Sequence, residues 1–210
     1  MATKISAFNN ALLELGHTSL VDTGEAVESG RLLNQVWGRV VNDCLAAGSW
    51  NFAMETIKAT ADTGVTPEFG FTEVFSKPSD WVRTIGVSAD EDLSLPMLQY
   101  YDDANYWSAP STPIYVRYVS NDTGLGFELT RWPAAFTRFV ETELALRVCP
   151  RIAKSEYERV ERARDKAKRA ALGHDAMNEA NPKFPPPGSW TTARGGSSGG
   201  ERGRRGSLTG

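Results

Sequence analysis

Apolar residues recur at three-and-four spacing near the start of the chain, where Ile5, Phe8, Leu12 and Leu15 line one side of a helix predicted from Thr3 to Gly16. Gly16 suits the stop, because glycine accepts the left-handed conformation that commonly follows a helix. A second helix is predicted to begin at Asp22 or Thr23, with Glu25 in its first turn favouring the positive end of the helix dipole. It runs through Leu33, Val36, Trp37, Val40, Val41 and Cys44 to a stop at Gly48. That stripe is broad enough to bury against two neighbours.

After Gly48 the period changes. Short extended runs rich in Trp, Tyr, Phe, Val and Thr are punctuated by Gly64, Pro67, Gly70, Pro78 and Pro96, which predicts a mostly β region. Trp81, Arg83, Ile85 and Val87 are expected to share one side of a strand, fed by a turn at Pro78-Ser79-Asp80. Ile114, Val116 and Tyr118 repeat the alternation.

Helical spacing returns at Pro133, a residue tolerated at a helix start, and Phe136, Phe139, Val140, Leu144, Val148 and Ile152 trace one face. Pro150 should end or kink this helix. A fourth helix is predicted from Ser155, with Glu158 completing a capping box and Tyr157, Val160, Ala163, Ala167 and Ala170 turned inward. Glu158 with Arg162, and Asp165 with Arg169, are expected four-residue charge pairs.

The expected class is therefore α+β, a four-helix bundle interrupted by a β-rich lobe and followed by an extended C-terminal arm. Residues 1–49 hold helices 1 and 2, residues 50–130 the inserted lobe, residues 131–180 helices 3 and 4, and residues 181–210 the arm. No internal repeat is visible.

Composition adds a charge polarity. The chain has 210 residues, 40% hydrophobic, with a net charge of −3. Arg194, Arg202, Arg204 and Arg205 against Glu201 give +3 in the last twenty residues, which leaves −6 on the rest. An acidic body argues against an ordinary nucleic-acid-binding domain, although the basic end could touch phosphate. Cys44 and Cys149 fit buried free thiols in a reducing compartment better than a disulfide framework. No secretory leader and no bilayer-spanning run are found, so a soluble protein made in a cytoplasm is expected, without membrane association.

Several stretches together carry a resemblance: ALLELGHTSL, NDCLAAGSWNFA, FGFTEVFSKPSDWVRTIGV, FVETELALRV and YERVERARDKAKRAA. In order and spacing they resemble the tail tubular protein A family of short-tailed phages, which are head-to-tail adaptors. In that family a tryptophan followed by Asn, an aromatic and Ala closes the second helix, here Trp50-Asn51-Phe52-Ala53. An aromatic extended segment then leads to a proline-centred turn and an arginine-bearing strand, here Phe75 to Pro78 and Trp81 to Val87. The likeness covers roughly residues 3 to 180.

The resemblance implies a helical bundle with a β-rich lobe, and a dodecameric ring that joins the portal to the tail nozzle protein and continues the DNA channel. Double-stranded DNA would pass without sequence recognition, along an acidic wall on which a polyanion slides. The implied location is the head-to-tail interface of a virion, after assembly in the cytoplasm of a bacterial host. Related adaptors grip the portal with a C-terminal arm, which makes Phe184, Trp190, Arg194 and Arg202 the expected anchors of a portal-binding arm here. Isolated aromatics in a Pro/Gly/Arg-rich segment agree, since such a segment has too little apolar surface to fold alone and uses aromatics and arginines as anchors when it docks.

Catalytic constellations are sparse. His17 and His174 lack neighbours at metal-ligand spacing, and phosphate-loop and nucleophile-elbow motifs are absent, so no enzyme, metal or cofactor is expected. His17 reads as part of a helix C-cap and Gly124-Leu125-Gly126 as a turn. Asp90, Glu91, Asp92, Asp102 and Asp103 read as solvated loop charges. The aromatics Trp50, Phe52, Trp81, Tyr100, Tyr101, Tyr106 and Trp107 suit a lobe core or subunit contacts better than base stacking. The competing reading is a small nucleic-acid-binding module using the basic C-terminal tail.

Overall fold

The computed structural model describes residues 3–65, 67, 70–94 and 96–178. The described residues form four α-helices and two three-stranded antiparallel sheets, an α+β fold in which the sheets are inserted between the second and third helices. The expected arm, with Phe184, Trp190, Arg194 and Arg202, lies outside the described residues.

Helix α1 spans Lys4–Glu14 and is opened by a capping box between Thr3 and Ser6. Ala7, Phe8, Ala11, Leu12 and Leu15 are buried, as the spacing predicts. Gly16 ends it at φ +67°. The Gly16 N–H donates to Leu13 O at 3.0 Å and the His17 N–H to Leu12 O at 2.9 Å, the two bonds of a Schellman motif. His17 therefore caps through its backbone.

Helix α2 spans Glu28–Ala46 and begins later than expected. Asp22, the expected start, serves a local turn: its Oδ1 accepts from the Gly24 N–H and the Thr23 hydroxyl, while Glu25 accepts from the Val21 N–H at 2.9 Å. Leu33, Val40, Val41, Cys44 and Leu45 are buried. The broad stripe is used within the chain itself, against the third helix and the strand Trp81–Ser88.

Sheet A runs in the order β1 (Met54–Ala59), β6 (Ile114–Ser120), β3 (Trp81–Ser88), and sheet B in the order β2 (Glu73–Ser76), β5 (Tyr106–Ala109), β4 (Tyr101–Asp102). In register, Met54 faces Val119 and Trp81 faces Ser120 across β6, while Glu73 faces Ala109 across β5. Phe75, Val87, Trp107, Ala109, Ile114 and Val116 form a core between the sheets. The opposite face of sheet A sends Val119, Val82 and Ile85 into the helical core. Sheet A is thus the shared wall of two cores, and the lobe is continuous with the bundle.

The alternation expected for Ile114, Val116 and Tyr118 holds, with all three buried. That expected for Trp81, Arg83, Ile85 and Val87 does not. Two register shifts, between Trp81 and Arg83 and between Thr84 and Gly86, each insert a residue. A bulge reverses the parity of everything after it. Trp81 and Val87 accordingly join the inter-sheet core, whereas Val82 and Ile85 join the helical one.

Helix α3 (Ala134–Ile152) touches α1, α2 and α4 and is the central helix. Every residue from Phe139 to Leu146 is buried, so the middle of this helix is enclosed, whereas Arg138 and Arg147 on either side of it are exposed. Pro150 falls in its last turn, and the helix stops two residues later. After a 3₁₀ turn at Lys154–Glu156, α4 spans Tyr157–Asn178, beginning two residues beyond the expected Ser155. Val160, Ala167 and Ala171 are its buried residues, while Tyr157 and Ala170, expected inside, are exposed. Arg162 and Arg169 donate to the backbone carbonyls of Glu158 and Asp165, at 3.1 and 3.2 Å, in place of the expected carboxylate pairs.

Candidate interaction surface

The Trp50-Asn51-Phe52-Ala53 stretch forms the joint between bundle and sheet. It makes a 3₁₀ turn at Asn51–Ala53 that feeds directly into β1. The buried Trp50 indole donates to Cys44 O at 2.9 Å, satisfying a carbonyl at the end of α2. Trp50 and Phe52 pack on Phe136, with ring centroids 4.8 and 4.7 Å away. Asn51 is tied to the end of α4, its backbone N–H donating to Asp175 Oδ1 at 3.0 Å and its side chain to Asp175 O at 3.2 Å.

Of the acidic loop residues, Glu91, Asp92 and Asp103 are exposed, as expected, whereas Asp90 and Asp102 serve local structure. Asp90 accepts from the Ser94 N–H at 3.0 Å and from the hydroxyls of Ser88 and Ser94, which closes the loop after β3. Asp102 pairs with Lys77. The Lys77 side chain is only 4% exposed, and its ammonium lies 3.6 Å from the Trp81 ring centroid and 5.6 Å from that of Trp107. A lysine so enclosed holds the two sheets together by cation–π attraction and one ion pair. Thr84 Oγ1 accepts from the indoles of both Trp81 and Trp107, at 3.0 and 2.9 Å.

A second polar cluster joins β1, β6 and the turn before β3. The buried Tyr118 hydroxyl lies 3.1 Å from both Glu55 Oε2 and Asp80 Oδ2, and Ser120 donates to Asp80. Burial first, then Asp80 and Glu55, raise the Tyr118 phenol far above its usual range, so it stays a donor at any physiological pH. Burial likewise raises the thiols of Cys44 and Cys149, both free, which keeps them protonated and unreactive. His174 is exposed, with Nδ1 3.3 Å from Asn178 Nδ2. Among the described residues no group of three or more His, Cys, Asp or Glu is placed to hold a metal ion. No described helix is long and apolar enough to cross a membrane.

The charged groups that the sequence pattern did not single out lie on α3. Glu143, 8% exposed, accepts from Arg147 Nε at 3.0 Å, and Arg147 reaches Asp43 of α2 at 2.8 Å. Arg164 of α4 stands 3.7 Å from the same Glu143. This network ties three helices together. Glu141 faces the other way, toward α1, into a groove of about 520 Å³ lined by Ser6, Asn10, Trp132, Thr137 and Arg138. Glu141 is 5% exposed and accepts from Asn10 Nδ2 at 2.6 Å. Burial pushes its carboxyl above the usual glutamate range, opposed by the Asn10 hydrogen bond and the charge of Arg138 and reinforced by Glu14. The only sequence signal for this site is the interruption of an apolar helix by Glu141, Thr142 and Glu143.

Several large apolar side chains are exposed among the described residues. Leu13, Val21, Leu98 and Met177 are the most exposed of them among the described residues, and they fall in separate stretches of the chain. Trp50 and Trp107 are buried within the cores, and Trp81 and Tyr100 pack against the inter-sheet core, whereas Tyr101 is 55% exposed and lies tilted against Phe71, with ring centroids 5.1 Å apart. No protein-family model matches the chain, and no curated protein matches it in sequence.

Proposed function

We propose that the chain is a non-enzymatic structural protein of a virion, a head-to-tail connector that forms a dodecameric ring between a portal and a tail nozzle and continues the DNA channel. The observation that supports this reading is one of order. The resemblance noted in the sequence implies a helical bundle interrupted by a β-rich lobe, and the chain has that arrangement, with Trp50-Asn51-Phe52-Ala53 at the junction of the two. Phe184, Trp190, Arg194 and Arg202 remain the proposed portal anchors. Because the broad face of α2 is occupied within the subunit, the ring contacts are assigned to the outer surfaces of the bundle and lobe, which a head-to-tail interface pairs as two different patches.

The test is portal binding by the intact chain and by a chain cut after Asn181, combined with native mass spectrometry in the presence and absence of portal. The intact protein is expected to assemble on the portal and the cut chain to bind far more weakly, because a dozen arms act multivalently. Unchanged affinity sinks the arm assignment, and a protein that stays monomeric in both conditions removes the ring. Salt titration separates this reading from nucleic-acid binding through the basic tail, which weakens steeply with ionic strength.

A further inference from the structure

We propose that the cleft on the outer face of sheet B is a docking groove for the proline run of a second copy of this chain, Pro182 to Pro187. This contact is independent of the portal reading.

Strand alternation builds the floor of the cleft. Phe75, Trp107 and Ala109 of sheet B enter the inter-sheet core, so the residues between them face away from it. The register then sets Val74, Ser108 and Tyr101 in one row across the three strands, with Ser76 opposite Tyr106 in the next. Asp103 follows at the end of β4, its N–H donating to Tyr106 O at 3.0 Å. Val65, Pro67 and Gly70 form the facing wall, and about 600 Å³ lies between. That wall is fixed at both ends. Asp62 accepts from the Ser76 hydroxyl at 2.8 Å and from the Gly64 N–H at 2.9 Å, while its own N–H donates to Val74 O at 2.7 Å. At the other end a Cβ on Gly70 would come within 3.2 Å of the Tyr101 ring, which also lies against Phe71. More than half of Tyr101 stays exposed all the same.

A proline run matches this lining in three ways. The side-chain hydroxyls of Tyr101, Tyr106 and Ser108 make no hydrogen bond within the described residues, so the groove offers donors. Prolines present carbonyls and no N–H, so a run of them meets those donors and brings no unpaired donor of its own. Proline rings also pack on tyrosine faces, and the extended conformation they favour is ordered before docking. Asp103 at the rim has no ion pair among the described residues, and Lys183 within the run carries the opposite charge. No lysine or arginine is among the described residues that line the groove, which disfavours a nucleic acid stacked on the tyrosines.

Reach assigns the run to a second copy. Pro182 stands four residues beyond Asn178, the end of α4, a span of about 14 Å at full extension. The end of α4 is bonded to Asn51 at the joint of bundle and sheet A, whereas the groove lies beyond sheet B. Sheets pack about 10 Å apart, and the direct line between the two places passes through the core of the lobe.

The experiment uses full-length chains and NMR. An isotope-labelled chain carrying Pro185→Ala, Pro186→Ala and Pro187→Ala keeps its groove and lacks the run; the amide signals of Tyr106 and Ser108 are followed in it. Unlabelled Tyr101→Ala chain, whose run is intact, is expected to move both signals saturably, and unlabelled triple-alanine chain to leave them in place. No movement with the first, or equal movement with both, overturns the proposal. Affinity is read from the anisotropy of a fluorescein-labelled peptide of residues 181–191 added to the unlabelled triple-alanine chain. Adding Tyr101→Ala to that chain weakens binding about tenfold, the loss of one aromatic anchor. Tyr101→Phe keeps the ring, controls for folding and weakens it roughly threefold through one lost hydrogen bond. Tyr101→Ala binding within twofold of its parent, or a peptide that binds equally well with alanine in place of its prolines, refutes the assignment. So does an oligothymidylate that moves the Tyr106 and Ser108 signals as the run does, because the groove then belongs to nucleic acid.

Discussion

Replacing Gly126 by alanine tests the account of how the lobe is joined to the bundle. Gly126 lies in the turn after β6, where Asp122 O accepts from the Leu125 and Phe127 N–H groups at 3.1 and 3.0 Å. A Cβ at this position would sit 2.1 Å from Ser120 O, 2.9 Å from Leu45 Cδ1 and 3.2 Å from Asn121 Cα. Two of these neighbours are backbone and cannot rotate away, so the turn itself must move. Overpacking of this kind costs about 1–3 kcal/mol. Movement of the turn also breaks the bond from the Trp132 indole to Gly126 O, and a buried donor left unsatisfied costs about 1–3 kcal/mol more. The sum, about 2–6 kcal/mol, is a large part of the roughly 5–15 kcal/mol that holds a domain folded. It corresponds to a fall in Tm of about 4–24 °C for a chain of this size. Gly38 is the control: a Cβ there meets nothing within 4 Å, and Gly38→Ala in the middle of α2 should stabilise by up to about 1 kcal/mol through helix propensity. Thermal unfolding followed by circular dichroism, with urea midpoints alongside, gives both numbers. A G126A protein within 1 kcal/mol of the native chain would refute the reasoning, since no tight approach would then exist.

Two further outcomes follow from the charged groups. Lys77→Met keeps the stem that packs under Trp81 and removes the ammonium; because Asp102 is 34% exposed and rehydrates, the loss in urea unfolding should be about 2 kcal/mol, below that of a fully buried pair. A change under 0.5 kcal/mol would show that the lysine acts only through its methylenes. For Glu141 the sign is set by a folded carboxyl raised above its unfolded value of about 4.3: the native state takes up the proton first as pH falls, so stability is lost as pH rises through that window. E141Q should therefore gain on the native chain as the pH is raised above that value, and a stability difference that does not vary with pH would contradict the assignment.

What the sequence made legible is what a single period can encode. The buried face of α1 and the alternation of Ile114, Val116 and Tyr118 each follow from one uninterrupted repeat against one core. Strand β3 could not be read this way, because its bulges change parity twice and the strand serves two cores in turn. The start of α2 was misplaced for a different reason: Asp22 and Glu25 are good capping residues, and their side chains are spent on the turn that precedes the helix. In α4, position 164 lies between the buried Val160 and Ala167, yet an arginine stands there, tolerated because Glu143 on the central helix meets it. Such a pairing depends on which helix lies opposite, information that local spacing does not carry. The Glu141 groove was hidden likewise, since a glutamate in an amphipathic helix reads as a solvated one until the helix is enclosed.

The shared wall has a mechanical meaning. A lobe hung from a bundle by a linker could swing, but here Val82, Ile85 and Val119 are set into the helices while Trp81, Val87 and Val116 of the same two strands are set into sheet B. To tilt the lobe, both cores would have to be sheared at once, and close-packed interiors resist that. Load applied at the tip of sheet B is therefore passed to α2 as torque, and the chain answers it as a lever in one piece.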